Sequence, residues 1–456
     1  MGANLARNAA KNGAKVLVYN RTEKVTDEFI KNYGKKGKLK AAKTYEELAK
    51  ALTPPRVILV MVKAGSAVDA VISDLLPLLE KGDIIIDGGN SHFLDTERRV
   101  KEVKAQGISF IGMGVSGGEE GALNGPSMMP GGDKKAYKAI EPMLQSMVAD
   151  DGSGGKCVSY VGDGGAGHFV KMVHNGIEYG VMQIIAESYD ILKSIGGFSN
   201  DQLALTYAAW NESENLNSFL MEITAQVFDT TEGKKYLLDL IADRAGQKGT
   251  GKWTTQAALD LGVAIPTINA AVDARIISGS VDLRKRMKDF PSEIDEHDPV
   301  PPPEKLRSQV RSAVEQSIIC AYMQGFVLMR QAAEEHGWKL DRSEIARIWK
   351  GGCIIRSTLL EKFKVAWRSK ESDARAAREA IFERFTGERQ LDWRRVVERG
   401  ISRGIPLPSM AASLNYFDAL QRERLPQNLV QAQRDFFGAH TFERIDKRGS
   451  FHSDWS

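Results

Sequence analysis

The hydrophobic periodicity of this chain changes at Gly165, and that change constrains its fold more than any other feature. Before it, short β-rich runs bounded by turn residues recur at VLVYN (16–20), VILVMV (57–62), DIIIDGG (83–89), SFIG (109–112) and VSYV (158–161), with amphipathic helical stretches between them. Continuous apolar strands alternating with helices predict a parallel sheet covered on both faces, with ligands bound at the carboxyl ends of the strands. After Gly165 the alternation stops and helical patterns run to about residue 425, interrupted by PVPPPE (299–304). The expectation is a doubly wound (Rossmann-like) α/β domain over residues 1–164, a large all-α domain over 165–428 and a C-terminal tail over 429–456. Within the helical half, YGVMQ (179–183) resembles AYMQG (321–325), and AAWNESENLNSFL (208–220) resembles RIWKGGCIIRSTL (347–359). Such similarity suggests an internal duplication in which Trp210 and Trp349 correspond.

Composition narrows the function classes. A chain of 456 residues with 42% hydrophobic content buries a large core, and a net charge of +3 points to neither a nucleic-acid partner nor a membrane surface. No apolar run approaches a membrane span, so a cytoplasmic protein is expected. The three cysteines (Cys157, Cys320, Cys353) are far apart, and the seven histidines show no close ligand spacing. Neither a disulfide framework nor a metal held by the protein is expected. The chemistry therefore falls to organic groups and an organic cofactor.

Two segments carry candidate chemistry. VSGGEEGALNGPSMMPGG (115–132) holds too many glycines and prolines for a regular element, and it reads as a shaped loop whose backbone N–H groups and Ser116 hydroxyl hold a carboxylate or phosphate. GAGHFVKMVHNGIEYGVMQIIAESYDILK (165–193) reads as one long helix. In it Lys171, His174, Asn175 and Glu178 fall at i, i+3, i+4 and i+7, which sets a base and an acid on one side over two turns. Gly176 and Gly180 weaken a helix unless another element must approach closely there. Nearer the start, VLVYN ends on Asn20-Arg21-Thr22, where an NAD-binding fold would have an acid for the ribose 2′-hydroxyl. A cation and a hydroxyl there suit the 2′-phosphate of NADP.

These segments, with VKAG (62–65), DGGNS (87–91), AGQKGTGKWT (245–254) and RDFFGAHTFER (434–444), resemble in order and over the whole chain the signature segments of the decarboxylating 6-phosphogluconate dehydrogenases. The resemblance implies NADP-dependent oxidation of 6-phosphogluconate at C3 and loss of C1 as carbon dioxide, giving ribulose 5-phosphate. It implies that Lys171 is the general base, with a pKa lowered by burial or nearby positive charge, and that Glu178 is the acid that protonates C1. For the substrate it implies Ser116, Gly117 and Gly118 at the carboxylate end, Asn90, His174 and Asn175 near the reacting carbons, and Tyr179, Lys248, Thr250 and Arg275 around the phosphate. Arg434 and His440 would come from the neighbouring subunit, so a homodimer is implied. For NADP it implies Met1 and Gly2 at the pyrophosphate turn, Asn20, Arg21 and Thr22 at the 2′-phosphate, Lys63 on the adenine side and Asn90 near the nicotinamide.

The opening departs from this pattern. Met1-Gly2 followed by ANLARNAAKNG reads as the end of a glycine turn and the first helix, without the preceding strand and its first two glycines. The expectation is a first domain that lacks its first strand and binds NADP poorly. Two other readings stay open: a β-hydroxyacid dehydrogenase acting on an unphosphorylated acid, and a non-catalytic relative.

Overall fold

The computed structural model describes residues 1–34, 38–291, 293–294, 299–368 and 372–455. The first half alternates as expected: α1 (Gly2–Lys11), β1 (Val16–Val18), α2 (Glu23–Tyr33), β2 (Leu39–Ala41), α3 (Tyr45–Ala51), β3 (Val57–Val60), α4 (Ser66–Leu75), β4 (Ile84–Asp87), α5 (Phe93–Ala105), β5 (Ser109–Ser116), α6 (Gly118–Asn124), β6 (Ser127–Gly132) and α7 (Lys134–Met147). The IIID run of β4 is buried throughout because helices cover both faces of the sheet.

Among the described residues the sheet comes in two pieces. β1 pairs with β2 in parallel, and separately β3, β4 and β5 run parallel with β6 added antiparallel to β5. No strand joins β1 to β3. The N-terminus of α1 instead abuts the end of β3, where a Cβ on Gly2 would lie 3.1 Å from that of Met61. Asn8, buried on the other side of α1, donates to the carbonyls of Ala122 and Met147 and so ties the helix to α6 and α7.

Three sequence expectations are corrected in this domain. The run at 39–41 forms a strand that its mixed lysine and alanine content concealed. Residues 117–132 are not a loop throughout; they form α6 and β6, and their glycines serve close packing. A Cβ on Gly131 would collide with the Gly167 amide, and one on Gly132 with the Phe110 carbonyl. The VSYV run and the glycine after it make only isolated bridges to the outer edge of β6, Val158 to Met128 and Gly162 to Gly131.

The second half is built on two long helices, α8 (Ala166–Ser194) and, later, α14 (Pro303–His336). Between them lie α9 (Asn200–Asn211), α10 (Phe219–Asp229), a short hairpin β7 (Thr231–Glu232) with β8 (Lys235–Tyr236), α11 (Thr250–Asp260), α12 (Pro266–Gly279) and α13 (Val281–Met287). After α14 come α15 (Arg342–Ile348), α16 (Leu359–Ala366), α17 (Ser372–Phe382), α18 (Gly387–Ser402), α19 (Pro408–Gln421), α20 (Gln427–Gly438) and a hairpin, β9 (Phe442–Glu443) with β10 (Ser450–Phe451). Caps written in the sequence start several of these helices. Ser199 and Gln202 form a capping box on α9, and Asp341 accepts from the Ser343 and Glu344 amides at α15.

α8 and α14 pack against each other through reciprocal small residues. Gly180 faces Ala321, and Gly325 faces Ile177. The internal duplication appears as local two-fold symmetry. The alignment that matches Trp210 with Trp349 also matches Asn217 with Arg356, Ser218 with Ser357 and Phe219 with Thr358. In the fold Ser218 bridges Ser357, the Phe219 amide donates to the Arg356 carbonyl at 3.1 Å, and the Thr358 amide donates to the Asn217 carbonyl at 3.0 Å. Equivalent residues of two repeats meet in this way where they face each other across an axis. Trp210 and Trp349 are both buried in the core.

Candidate active site

The first turns of α8 lie directly on the backbone of β5 and β6. Gly112, Gly114 and Gly131 on the strands and Gly167 on the helix leave no room for a Cβ at the contact. This close approach carries Lys171 to the junction of the two domains, where its side chain is only 6% exposed. Further along, Gly176 makes room for Thr254 of α11, which donates to the Met172 carbonyl at 2.9 Å. The helix glycines therefore stand where neighbouring elements approach closely.

The stripe Lys171, His174, Asn175 and Glu178 forms one connected group. Lys171 Nζ donates to Asn175 Oδ1 at 2.6 Å and lies 3.5 Å from His174 Nδ1. His174 Nδ1 is 3.0 Å from Asn175 Oδ1 and 3.8 Å from a Glu178 oxygen, while its Nε2 is 3.1 Å from Ser116 Oγ on β5. Asn175 Nδ2 donates to Thr250 Oγ1 at 3.1 Å, which brings the start of α11 into the group. Beyond Glu178, the Arg275 guanidinium stacks on the Tyr179 ring, 3.4 Å from its centroid, and donates to the Gly246 carbonyl.

Burial sets the protonation of these groups. It lowers the Lys171 pKa from its ordinary value of 10.5, against the opposing pull of Glu178 and Cys353. It also lowers the His174 pKa well below 6.5, reinforced by the charge of Lys171, so the imidazole is neutral. Burial raises the Glu178 pKa above 4.5, opposed by Lys171 and Arg275. A lysine drawn toward its neutral form and a carboxyl drawn toward its protonated form stand two turns apart on one helix. That is the arrangement a base and an acid need for proton transfer near neutral pH.

The other expected site residues are spread over both domains and the tail. Gly117 and Gly118 stand where β5 turns into α6; Gly117 has φ +122°, and the Gly352 carbonyl occupies the space a Cβ would need. Asn90 and Lys63 are exposed in the loops after β4 and β3, and Lys248 is exposed just before α11. Asn20, Arg21 and Thr22 are exposed after β1, with Asn20 Oδ1 accepting from the Thr22 amide at 2.9 Å. Met1 and Gly2 open α1. Arg434 and His440 are exposed on the tail, and among the described residues no contact joins either to the α8 group of the same chain.

Two contributors were not singled out from the sequence. The loop after α15, seen there only as one half of a repeat, closes over the group: the Ile354 amide is 3.4 Å from Ser116 Oγ, and Trp349 packs edge-on against His174. Arg99, buried on α5, clamps the loops that carry Lys63 and Asn90. It binds Asp69 at 2.8 Å, the Gly65 carbonyl at 3.0 Å, Ser91 Oγ at 3.4 Å and Asp87 at 3.5 Å. No local pattern marks either, because both act through contacts distant in sequence.

A doubly wound domain set against a duplicated helical domain, with a buried lysine and a carboxyl at their junction, defines a two-domain dehydrogenase. The family model for the NAD binding domain of 6-phosphogluconate dehydrogenase matches residues 1–162, and that for the 6-phosphogluconate dehydrogenase C-terminal domain matches residues 167–455. The decarboxylating 6-phosphogluconate dehydrogenase of Synechococcus elongatus is 51% identical over 465 residues, covering 100% of this chain and 97% of that protein. The NADP(+)-dependent decarboxylating enzyme of Bacillus subtilis is 49% identical over 460 residues with the same coverage. A solved structure of Plasmodium falciparum 6-phosphogluconate dehydrogenase, described in apo form and in complexes with its cofactor NADP+ and its substrate 6-phosphogluconate, is 42% identical. It superposes with a TM-score of 0.93 over 100% of this chain and 98% of that one. The chain belongs to the 6-phosphogluconate dehydrogenase family.

Proposed function

We propose that this protein catalyses the NADP-dependent oxidative decarboxylation of 6-phosphogluconate to ribulose 5-phosphate and carbon dioxide. The observation that carries the reading is the buried Lys171, hydrogen-bonded to Asn175, beside a neutral His174 and two turns from a Glu178 whose pKa is raised. Lys171 takes the proton of the C3 hydroxyl during oxidation. It then returns a proton to the C3 oxygen as the C1 carboxylate leaves, and Glu178 protonates C1 of the enediol. Held by the residues of the first domain, NADP would supply the acceptor for the hydride that leaves C3. Ser116, Gly117 and Gly118 hold the carboxylate end, Asn90, His174 and Asn175 lie at the reacting carbons, and Tyr179, Lys248, Thr250 and Arg275 hold the phosphate.

The residues of the first domain suit the cofactor. Arg21 is an exposed cation at the carboxyl end of β1, beside Thr22, and the first amides of α1 point from the helix start where a pyrophosphate is held in such folds. Residues 1–164 serve as the nucleotide domain, 165–428 as the substrate domain and 429–456 as the tail. The functional unit is a homodimer in which Arg434 and His440 complete the neighbouring site. The exposure of Leu429, Val430, Phe436 and Phe437 on the tail supports that assembly. Three buried, unpaired cysteines suit the reducing cytoplasm, and no helix among the described residues is long and apolar enough to cross a membrane.

The test is NADPH and carbon dioxide formation by the purified protein, with gluconate offered beside 6-phosphogluconate. Equal rates on both acids would move the reading to an unphosphorylated hydroxyacid, and no NADPH with either would remove the catalytic reading.

A further inference from the structure

The tail holds a buried carboxylate that the reaction does not use. Asp435, on the last turn of α20, has no exposed surface although Phe436 and Phe437 beside it are open to solvent. Its Oδ1 accepts from the Thr441 amide at 2.9 Å and from His452 Nδ1 at 2.9 Å. Its Oδ2 accepts from Trp455 Nε1 at 2.8 Å and from the Ser453 amide at 3.1 Å. Four donors, three of them from the last residues of the chain, satisfy one carboxylate.

The backbone between these partners is unusual on both sides of His440. Ala439 has φ +48° and Thr441 φ +60°, a left-handed conformation that a β-branched residue adopts only when its surroundings impose it. The bond from Thr441 N to Asp435 imposes it from one side, and the bond from Gln431 Nε2 to the Thr441 carbonyl from the other. Gln431 also accepts from Arg434 Nη1 at 3.0 Å, so the same frame holds both tail residues. Gly438 leaves space for the imidazole: a Cβ there would lie 2.8 Å from His440 Nε2.

We infer that Asp435 is a positioning residue for the neighbouring active site, its carboxylate drawing residues 452–455 back onto α20 and locking the strained turn that presents His440. The inference rests on the reading that the tail completes the partner's substrate site. A frayed tail would have to order its backbone on every binding event, and that cost would fall on substrate affinity rather than on the chemical step.

The experiment compares three variants of the full chain: Asp435→Asn, a truncation ending at Phe451 that removes three of the four donors while keeping Arg434 and His440, and His440→Ala. For each, kcat and the Michaelis constants for the sugar acid and for NADP are measured, with the oligomeric state followed by sedimentation. All three are expected to raise the KM for 6-phosphogluconate by about tenfold or more while the KM for NADP stays within about twofold. If His440→Ala raises that KM and neither Asp435→Asn nor the truncation does, Asp435 does not position the turn and the inference is overturned. If His440→Ala itself changes nothing, the tail does not serve the substrate site, and the underlying reading falls with the inference. A KM rise in Asp435→Asn that disappears at protein concentrations restoring the dimer would also overturn it, since the carboxylate would then serve assembly.

Discussion

Replacing Gly114 by alanine tests whether close packing of α8 on β5 sets the position of Lys171, the proposed base. A methyl group at this position would lie 3.0 Å from Lys171 Cγ and 3.1 Å from the Gly167 carbonyl oxygen, and closer still to Lys171 Cβ. Carbon atoms in ordinary contact need about 3.5–4.0 Å, so the helix and strand must part by roughly 1 Å. None of the obstructing atoms is the free end of a flexible chain. The overpacking should destabilise the protein by about 1–3 kcal/mol. More telling is the effect on chemistry, because a misplacement of about 1 Å at a reacting group costs about a hundredfold in rate. Gly114→Ala should therefore lower kcat by one to two orders of magnitude with a much smaller change in the KM for NADP, in protein shown by thermal unfolding to be folded at the assay temperature. A folded Gly114→Ala enzyme with kcat within about twofold of the parent would refute the argument that the glycine contact positions Lys171.

Other expected outcomes follow from the same geometry. Lys171→Met should abolish NADPH formation while 6-phosphogluconate still binds, as read by calorimetry; near-normal turnover would take lysine out of the mechanism. Arg21→Ala should raise the KM for NADP at least about tenfold and leave that for NAD almost unchanged, since the lost cation would face only the 2′-phosphate; an equal effect on both cofactors would contradict this placement. Burial lifts the Glu187 carboxyl to about 7 although it accepts from the Ser409 and Met410 amides at the start of α19. The folded protein then retains a proton that an ordinary carboxyl releases near 4.5, so this group's contribution to stability is fully present below that pH and is lost as pH rises toward 7, by about 3 kcal/mol in all. Urea unfolding at a series of pH values should show that Glu187→Gln flattens this slope, and an unchanged slope would assign it to other groups.

Legibility in the sequence followed how far apart the interacting residues lie. The IIID run of β4 and the polar stripe of α8 are local patterns, and each became the element that its pattern predicts. Where the pattern was mixed, as at Leu39–Ala41, or dense in glycine, as at 117–132, local reading failed. Those residues take their conformation from neighbours far along the chain: β1 for the first, α8 and the loop after α15 for the second. VSYV carried a strand pattern and still made only isolated bridges to β6, because a continuous ladder depends on how the partner strand lies against it and not on the local pattern.

The sequence by itself determined the change of periodicity at Gly165, the helical stripe of Lys171, His174, Asn175 and Glu178, and the cation at the end of β1. Periodicity and spacing are properties of neighbouring residues and survive in any fold that keeps the helix or strand. Only the tertiary structure decided that Lys171 loses its water and Glu178 holds its proton more tightly, that Ser116 meets His174, that Arg99 joins two loops, and that Asp435 gathers the end of the chain around His440. Desolvation and long-range hydrogen bonds depend on which distant surfaces come together, and no local pattern records that.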